Sequence, residues 1–231
     1  MEFTLLGAVA IAVGLMYATL WFEGGRTNAA DCTRDVWDAL ITGAMAGLVV
    51  GRLVAMGRGG VNPVTNPGDI LIVRAGVDTI AATVTALVGF GFMVRRDLWW
   101  MADSAAPAAV AGLAGWHAGC LVRDACLGTP SDLPFAVAQT GSNITRHPVE
   151  IYAALLLLGV AVLLIAWKRS RPAAGVVASV AALAIAVVRM ATEPMRPVLG
   201  PSLITWYGAA AVLAAAVLAW RVRSVRCAGG T

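Results

Sequence analysis

Apolar residues in this chain gather into long uninterrupted runs, and most polar residues are confined to short segments between them. The first run, Phe3 to Phe22, holds 20 residues without a charged side chain. A helix of about 20 apolar residues is needed to cross the roughly 30 Å hydrocarbon core of a bilayer. The run therefore predicts a membrane-spanning helix. A cleaved signal peptide is disfavoured because Met1 and Glu2 supply no basic segment before the run.

Six further apolar runs predict helices at about 38–56, 70–93, 98–120, 150–167, 173–190 and 203–220. We therefore expect an all-α integral membrane protein with seven transmembrane helices in a single domain over residues 1–231. An odd number of spans places the two termini on opposite sides of the membrane. The longest non-apolar stretch, at about 121–148, predicts a small outward-facing head, because long loops in compact proteins are usually functional.

Composition agrees with a membrane protein and predicts its orientation. The chain is 59% hydrophobic and 13% charged, which is too little charge for a surface that faces water on all sides. Short cytoplasmic loops carry an excess of Lys and Arg, so we expect the N-terminus out and the C-terminus in. The inner segments then hold Arg26, Arg34, Arg95, Arg96, Lys168, Arg169, Arg171, Arg221, Arg223 and Arg226. We expect the net charge of +4 to come mostly from these cytoplasmic basic residues, which anchor the chain at the membrane, and nucleic acid is not an expected partner.

Several ionisable residues fall within or at the ends of the predicted spans. They are Arg52, Arg74, Asp78, Asp103, Arg189 and Glu193. A charge at mid-bilayer costs on the order of a few kcal/mol, so each should face a partner or a water-filled cavity. Arg74 and Asp78 are four residues apart on one helix face, a spacing that fits a simple structural pair.

The segment RMATEPMR, at 189–196, places two arginines around one carboxylate. The excess positive charge of Arg189 and Arg196 over Glu193 suits a phosphate, because Arg binds phosphate in a bidentate manner. The phosphate most available to a membrane protein is that of a phospholipid headgroup. The alternative interpretation is an interfacial arginine that touches lipid without specificity.

The stretch WHAGCLVRDACLG, at 116–128, holds one of the two histidines and two of the four cysteines. Three interpretations of Cys120 and Cys126 stay open: a disulfide, reactive thiols, or reduced packing residues. We favour the disulfide, since bridges persist outside the cytoplasm. A metal site is disfavoured because His117 and these cysteines lack the usual close pairs and a fourth ligand.

Five motifs and one spacing follow one another along the chain. They are GLMY at 14–17, GRL at 51–53, NPGDIL at 66–71, GTPSDLPFAV at 128–137, RHPVEIYAALL at 146–156, and the R, E, R spacing of 189–196. In this order, over nearly the whole chain, they resemble the bacterial prolipoprotein diacylglyceryl transferases. That family moves diacylglyceryl from phosphatidylglycerol to a lipobox cysteine.

The resemblance implies a multi-pass protein of the bacterial plasma membrane that uses phosphatidylglycerol, takes a prolipoprotein signal peptide as partner and needs no cofactor. It also implies roles by position. Arg189 would contact the lipid phosphate and stabilise the leaving glycerol phosphate, with Glu193 orienting it. Arg196 matches a second motif arginine. The outward half of a lipid cavity would be shaped by Arg52, Arg146 and His147.

The chain also departs from the family at the positions that carry chemistry. The family's third-helix histidine is missing, and Ala81 stands near its place. In the signature region, His117, Cys120 and Arg123 replace an arginine and two asparagines. Transfer to a cysteine requires activation of a thiol whose unperturbed pKa is about 8.5. His117 is the better candidate base, because His147 fits a structural cap.

Two hypotheses of different classes follow. The first is a diacylglyceryl transferase, or a related phospholipid-dependent transferase, and it is favoured by Arg52, Arg146, Arg189 and Glu193. The second is a non-catalytic protein of the same fold that binds phospholipid or serves as a subunit of an envelope complex. It is favoured by the missing third-helix histidine.

Thiol labelling tests the favoured disulfide. If Cys120 and Cys126 are bridged, a maleimide reagent labels these two positions only after reduction, and Cys→Ser variants at both positions remove that difference. Equal labelling with and without reductant would exclude the bridge.

Overall fold

The computed structural model describes residues 4–27, 30–63, 65, 77–119, 127–138, 141–196 and 203–228, and these ranges contain seven α-helices. They are α1 Thr4–Thr27, α2 Ala30–Arg58, α3 Thr79–Met93, α4 Leu98–Ala118, α5 Val149–Lys168, α6 Val176–Thr192 and α7 Ile204–Ala228. A 3₁₀ turn, Glu193–Met195, follows α6. A ribbon of two short strands, β1 Val137–Ala138 and β2 Thr145–Arg146, lies between α4 and α5. The predicted all-helical architecture is confirmed.

Each predicted helix overlaps one observed helix, and α3 differs most at its start. We expected a beginning near residue 70, whereas α3 begins at Thr79. Asp78 caps it by accepting a hydrogen bond from the Ala81 backbone N–H at 2.8 Å. Asp78 also forms an ion pair with Arg58 at the end of α2. Its expected partner Arg74 lies outside the described residues.

Of the helices described, five are long and apolar enough to cross a membrane, which makes this a multi-pass membrane protein. They are α1, α2, α5, α6 and α7. Helix α3 is apolar but has only 15 residues. Helix α4 has 21 residues but is not among these five, and it carries Asp103, Ser104 and His117 among alanines and glycines.

The position of α4 explains its composition. It packs against α1 and α5 and also contacts α6 and α2, so its residues 105–108 and 110–112 are all buried. A helix enclosed by other helices does not need an apolar lipid-facing surface. Small residues let the helices approach closely: the core of α4, α5 and α6 is formed by Ala106, Val110, Ala111, Ala114, Ala153, Leu157, Ala161, Leu164, Val177, Ala181 and Val188.

Asp103, one of the charges expected to need a partner, caps a different helix. Its two carboxylate oxygens accept hydrogen bonds from the backbone N–H groups of Gly175, at 2.6 Å, and Ala178, at 2.7 Å. These donors belong to the start of α6 and would otherwise lack a partner. The buried carboxylate therefore joins the beginning of α4 to the beginning of α6.

A second polar contact lies at the same end of the bundle. The ammonium of Lys168, at the end of α5, donates to both carboxylate oxygens of Glu23, at 3.1 and 3.3 Å. It also donates to the Ser104 carbonyl at 3.2 Å. One side chain thus ties the end of α5 to α1 and α4.

The predicted head contains the ribbon, in which Val137 pairs with Arg146 and Ala138 with Thr145. Backbone hydrogen bonds attach it to the bundle: the Gly128 N–H donates to the His147 carbonyl at 2.7 Å, and the Thr129 N–H donates to the Met195 carbonyl at 2.8 Å. The segment before α5 is therefore fixed to the turn after α6.

Three glycines four residues apart, Gly43, Gly47 and Gly51, let α2 approach α3. A Cβ atom added to Gly47 would lie 2.6 Å from the carbonyl oxygen of Ala82. Because that oxygen belongs to a helix backbone, it cannot rotate away as a flexible side chain would. The Gly-x-x-x-Gly spacing thus serves the close helix contact that membrane helices favour.

We predict that Gly47→Ala lowers stability by about 1–3 kcal/mol, because the added methyl group forces α2 and α3 apart. The measurement is the thermal unfolding temperature in detergent. Gly159→Ala is the matched control, since a Cβ atom there meets nothing within 4 Å. A wild-type unfolding temperature for Gly47→Ala would contradict the proposed contact.

Candidate active site

Four helix ends meet at the end of the bundle opposite Lys168. They are the end of α4 with His117, the first turn of α5 with Glu150, the end of α6 with Arg189, and the beginning of α7 with Tyr207. In an antiparallel bundle the end of one helix lies beside the beginning of the helix that packs against it. Polar residues at these ends become neighbours although they are distant in sequence.

Glu150 lies at the centre of this site and is 5% exposed. Its Oε2 atom is 2.5 Å from Nδ1 of His117 and 3.5 Å from Nη1 of Arg189. Its Oε1 atom is 3.1 Å from Nη2 of Arg196. One carboxylate therefore contacts an imidazole and two guanidiniums.

Glu193 supplies the second carboxylate. Its Oε2 atom lies 3.7 Å from Nη2 of Arg189 and 3.5 Å from Nη1 of Arg196. The two arginines and two glutamates thus alternate around a closed ring. The sequence segment 189–196 alone indicated excess positive charge, and this expectation is corrected by Glu150, because the formal charges of the four side chains cancel.

Local backbone geometry places the C-terminal half of the ring. Arg189 and Glu193 are four residues apart, and α6 continues beyond Thr192 as the 3₁₀ turn Glu193–Met195. The Arg196 N–H donates to the Glu193 carbonyl at 3.0 Å and closes that turn. Since side chains three apart nearly eclipse in a 3₁₀ helix, the side chains of Arg196 and Glu193 lie on the same side.

The two arginines differ in exposure. The side chain of Arg189 is 6% exposed, whereas that of Arg196 is 40% exposed. The guanidinium of Arg189 also lies over the buried ring of Tyr207, with its Cζ atom 5.4 Å from the ring centroid. Arg189 is therefore the inner, fixed cation and Arg196 the outer one.

Hydrogen-bonding capacity is left over inside this site. Among the described residues, three buried side-chain atoms have no hydrogen-bond partner: Nε2 of His117, Nη1 of Arg189 and Oε2 of Glu193. Nη1 of Arg189 is within ion-pairing distance of Glu150 but does not form a hydrogen bond with it. Buried polar atoms are normally satisfied, so unpaired atoms on an arginine and a histidine mark a place where a ligand can bind.

The structure unites four of the predicted site residues, namely His117, Arg189, Glu193 and Arg196. Two others lie just before α5: Arg146 donates to the Gly128 carbonyl at 3.2 Å, and Nδ1 of His147 is 3.5 Å from the Tyr152 hydroxyl. Arg52 is buried in α2 and is 3% exposed. The remaining predicted positions, Cys120, Arg123 and Cys126, lie outside the described residues.

Sequence reasoning missed Glu150 and Tyr207. A carboxylate is common in the first turn of a helix, because the positive end of the helix dipole stabilises it there. Glu150 therefore carried no distinctive signal. Its position as the one acidic residue of a long apolar run was the available clue. Tyr207 is aromatic and near a membrane boundary, which is equally common.

The site combines two chemical capacities. The guanidiniums provide planar donors suited to a phosphate, and the imidazole provides a nitrogen that can exchange a proton. In the described part of the chain, no group of three or more His, Cys, Asp or Glu side chains is placed to hold a metal ion.

The amino-acid sequence is similar to those of known proteins of one family. The phosphatidylglycerol–prolipoprotein diacylglyceryl transferase of Cupriavidus metallidurans is 31% identical over 186 residues, which is 72% of this chain and 68% of the relative. That of Cupriavidus pinatubonensis is 30% identical over 213 residues, 83% of this chain and 76% of the relative. That of Clostridium tetani is 23% identical over 194 residues, 80% of this chain and 78% of the relative. A family model for prolipoprotein diacylglyceryl transferase matches residues 2–221, and the chain therefore belongs to the prolipoprotein diacylglyceryl transferase family.

Proposed function

We propose that this protein transfers the diacylglyceryl group of phosphatidylglycerol to the cysteine thiol of a prolipoprotein signal peptide. Family membership over residues 2–221 supports the reaction class. The single structural observation that carries the proposal is Arg189, a buried arginine with an unpaired donor atom. It lies beside the carboxylate of Glu150, which also contacts His117. Such a site can bind an anionic headgroup and can also accept a proton close to it.

The transfer is a substitution at the glycerol carbon that bears the phosphate. The cysteine sulfur attacks this carbon, a C–S bond forms, and the C–O bond to the phosphate breaks. The bonding electron pair leaves on the oxygen of glycerol phosphate, and the thiol proton goes to the base. The products are a thioether-linked diacylglyceryl cysteine and glycerol phosphate, and no oxidant or reductant is needed.

Negative charge grows on the phosphate as the C–O bond breaks, which is why a fixed arginine is useful. A preorganised cation lowers the barrier most where charge develops, and Arg189 is held by Glu150, Glu193 and Tyr207. In this proposal Glu193 orients Arg189. Arg196, whose side chain is 40% exposed, meets the incoming headgroup first.

The remaining binding residues act around this centre. Arg146 and His147 precede α5 by a few residues and flank the same end of the bundle, and Arg52 adds a buried cation from α2. In this proposal they shape the outward half of the lipid cavity. Long apolar side chains on the outer helix surfaces meet the lipid tails, since many such residues are exposed.

His117 takes the thiol proton in this proposal. By the family resemblance, Ala81 stands near the place of the family's third-helix histidine. Nε2 of His117 is buried and has no hydrogen-bond partner among the described residues. A base must lie within hydrogen-bond reach of the proton that it removes, and the neighbouring ring of arginines and glutamates brings the phosphate to the same place.

We propose further that the chain crosses the bacterial plasma membrane seven times, with the N-terminus outside. Five helices have the length and hydropathy for a span, and α3 and α4 complete the bundle between them. The α5–α6 turn carries Lys168, Arg169 and Arg171, which favours the cytoplasm for that end. The site and the head then lie on the outer side, where prolipoprotein cysteines arrive.

We predict that Arg189→Ala lowers thioether formation by about 10²–10³-fold, the usual cost of removing a donor that stabilises developing charge. Purified protein is incubated with phosphatidylglycerol and a lipobox peptide, and the thioether product is quantified by mass spectrometry alongside lipid binding. Arg169→Ala is the matched control, because Arg169 is exposed in the turn between α5 and α6.

Three results separate the candidate functions. Wild-type protein that binds phosphatidylglycerol without forming product, with binding abolished in Arg189→Ala, would establish the non-catalytic alternative. Product formation at the wild-type rate in Arg189→Ala would exclude the role given to this arginine. Product in wild type and in Arg169→Ala, with the expected loss in Arg189→Ala, supports the transferase.

A further inference from the structure

We propose that Glu150 is a positioning residue that holds His117 with its proton on Nδ1 and its Nε2 lone pair directed into the transfer site. This inference rests on the proposed function, in which His117 is the base. It concerns a residue to which neither the sequence motifs nor the family resemblance gave a role.

The contact between the two side chains is short and enclosed. Nδ1 of His117 is 2.5 Å from Oε2 of Glu150, and the two side chains are 9% and 7% exposed. Glu150 is paired with two guanidiniums, and an ionised carboxylate can only accept hydrogen bonds. Nδ1 must therefore be the donor. In a neutral imidazole the other nitrogen, Nε2, then carries the lone pair.

The same nitrogen is the one that has no partner. Nε2 of His117 is buried and makes no hydrogen bond to any residue that the structure describes. A buried lone pair without a donor is unfavourable, and such costs are retained where function uses the atom. A base oriented by a third group, with its other nitrogen open to a nucleophile, is the arrangement that activates nucleophiles in other enzymes.

Glu150 is itself held in one orientation. Its Oε1 atom pairs with Arg196 and its Oε2 atom with Arg189, so rotation of the carboxylate would break both contacts. The preceding residue, Val149, is 1% exposed and fixes the first turn of α5. The carboxylate therefore provides a rigid acceptor for the imidazole.

The shared carboxylate also links the two halves of the reaction. The Oε2 atom of Glu150 contacts both His117, the base that takes the thiol proton, and Arg189, and its Oε1 atom contacts Arg196. The sulfur attacks the carbon on the side opposite to the departing phosphate oxygen. Because one carboxylate contacts both the base and the arginines, it fixes the distance between the base and the arginines.

Glu150→Gln tests this role with an isosteric change. The amide keeps the shape but can donate to Nδ1, which favours the tautomer with the proton on Nε2 and removes the lone pair that the reaction needs. We expect kcat for thioether formation to fall about 10²-fold or more, with a much smaller change in KM for phosphatidylglycerol. Asp132→Asn, an exposed carboxylate of the head, is the matched control and keeps wild-type kcat.

The tautomer can be read without turnover, because the chain has two histidines. Protein labelled with ¹⁵N-histidine gives separate NMR signals for protonated and bare ring nitrogens, and a His147→Gln variant assigns those of His117. We expect a protonated Nδ1 and a bare Nε2 in wild type. We expect this pattern to be lost in Glu150→Gln and retained in Glu150→Asp, which also recovers part of kcat.

The outcomes are distinguishable. A bare Nδ1 in wild type, a tautomer unchanged in Glu150→Gln, or wild-type kcat in that variant would overturn the positioning role. Absence of thioether product from wild-type protein would overturn the proposed function instead, and the NMR signals would still decide whether Glu150 sets the proton position. If Glu150→Gln does not fold, the wild-type and Glu150→Asp spectra decide the same question.

Discussion

The buried carboxylate of Glu150 is the interaction on which this site depends. Four helices have an end around it, and two of them supply the side chains that contact it: α4 supplies His117, while α6 and the turn after it supply Arg189 and Arg196. A charge enclosed among membrane helices is costly unless it is paired. Each of these charged groups is therefore stable in the interior only because the others are present. The stability of the fold, as well as the function, thus requires them to stay within ion-pairing distance.

The same requirement shapes the opposite end of the bundle. Asp103 is buried but satisfied by two backbone N–H groups at the start of α6, and Lys168 is satisfied by Glu23 and a carbonyl. Each contact joins helices that are distant in the chain. The two polar layers thus hold the ends of the helices, while the small apolar side chains of the core fill the space between them. Pairing at one end satisfies every charge named here, whereas at the other end three buried atoms have no hydrogen-bond partner among the described residues.

Helix α4 shows how position overrides composition. It carries polar residues among its alanines and glycines and is not among the five helices apolar enough to span a membrane, yet it is the helix that α1, α5 and α6 surround. Because it meets protein rather than lipid, it can carry Asp103 near its beginning and His117 near its end. It is thereby connected to both polar layers, and its small residues allow the close packing that keeps His117 and Glu150 within 2.5 Å.

The sequence determined the seven helices of the described residues and most of their limits, because an apolar run is a local property of the chain that its residues carry into a helix of matching length. It also determined the Arg189, Glu193 and Arg196 cluster, since spacings of three and four residues act within one helix end. Only the tertiary structure decided that Glu150 joins this cluster, because Glu150 and His117 are 33 residues apart and their contact depends on how α4 and α5 dock. The capping of α6 by Asp103, across 72 residues, was likewise beyond local pattern. Long-range pairing is set by packing, and no periodicity along the chain encodes which helix ends will meet.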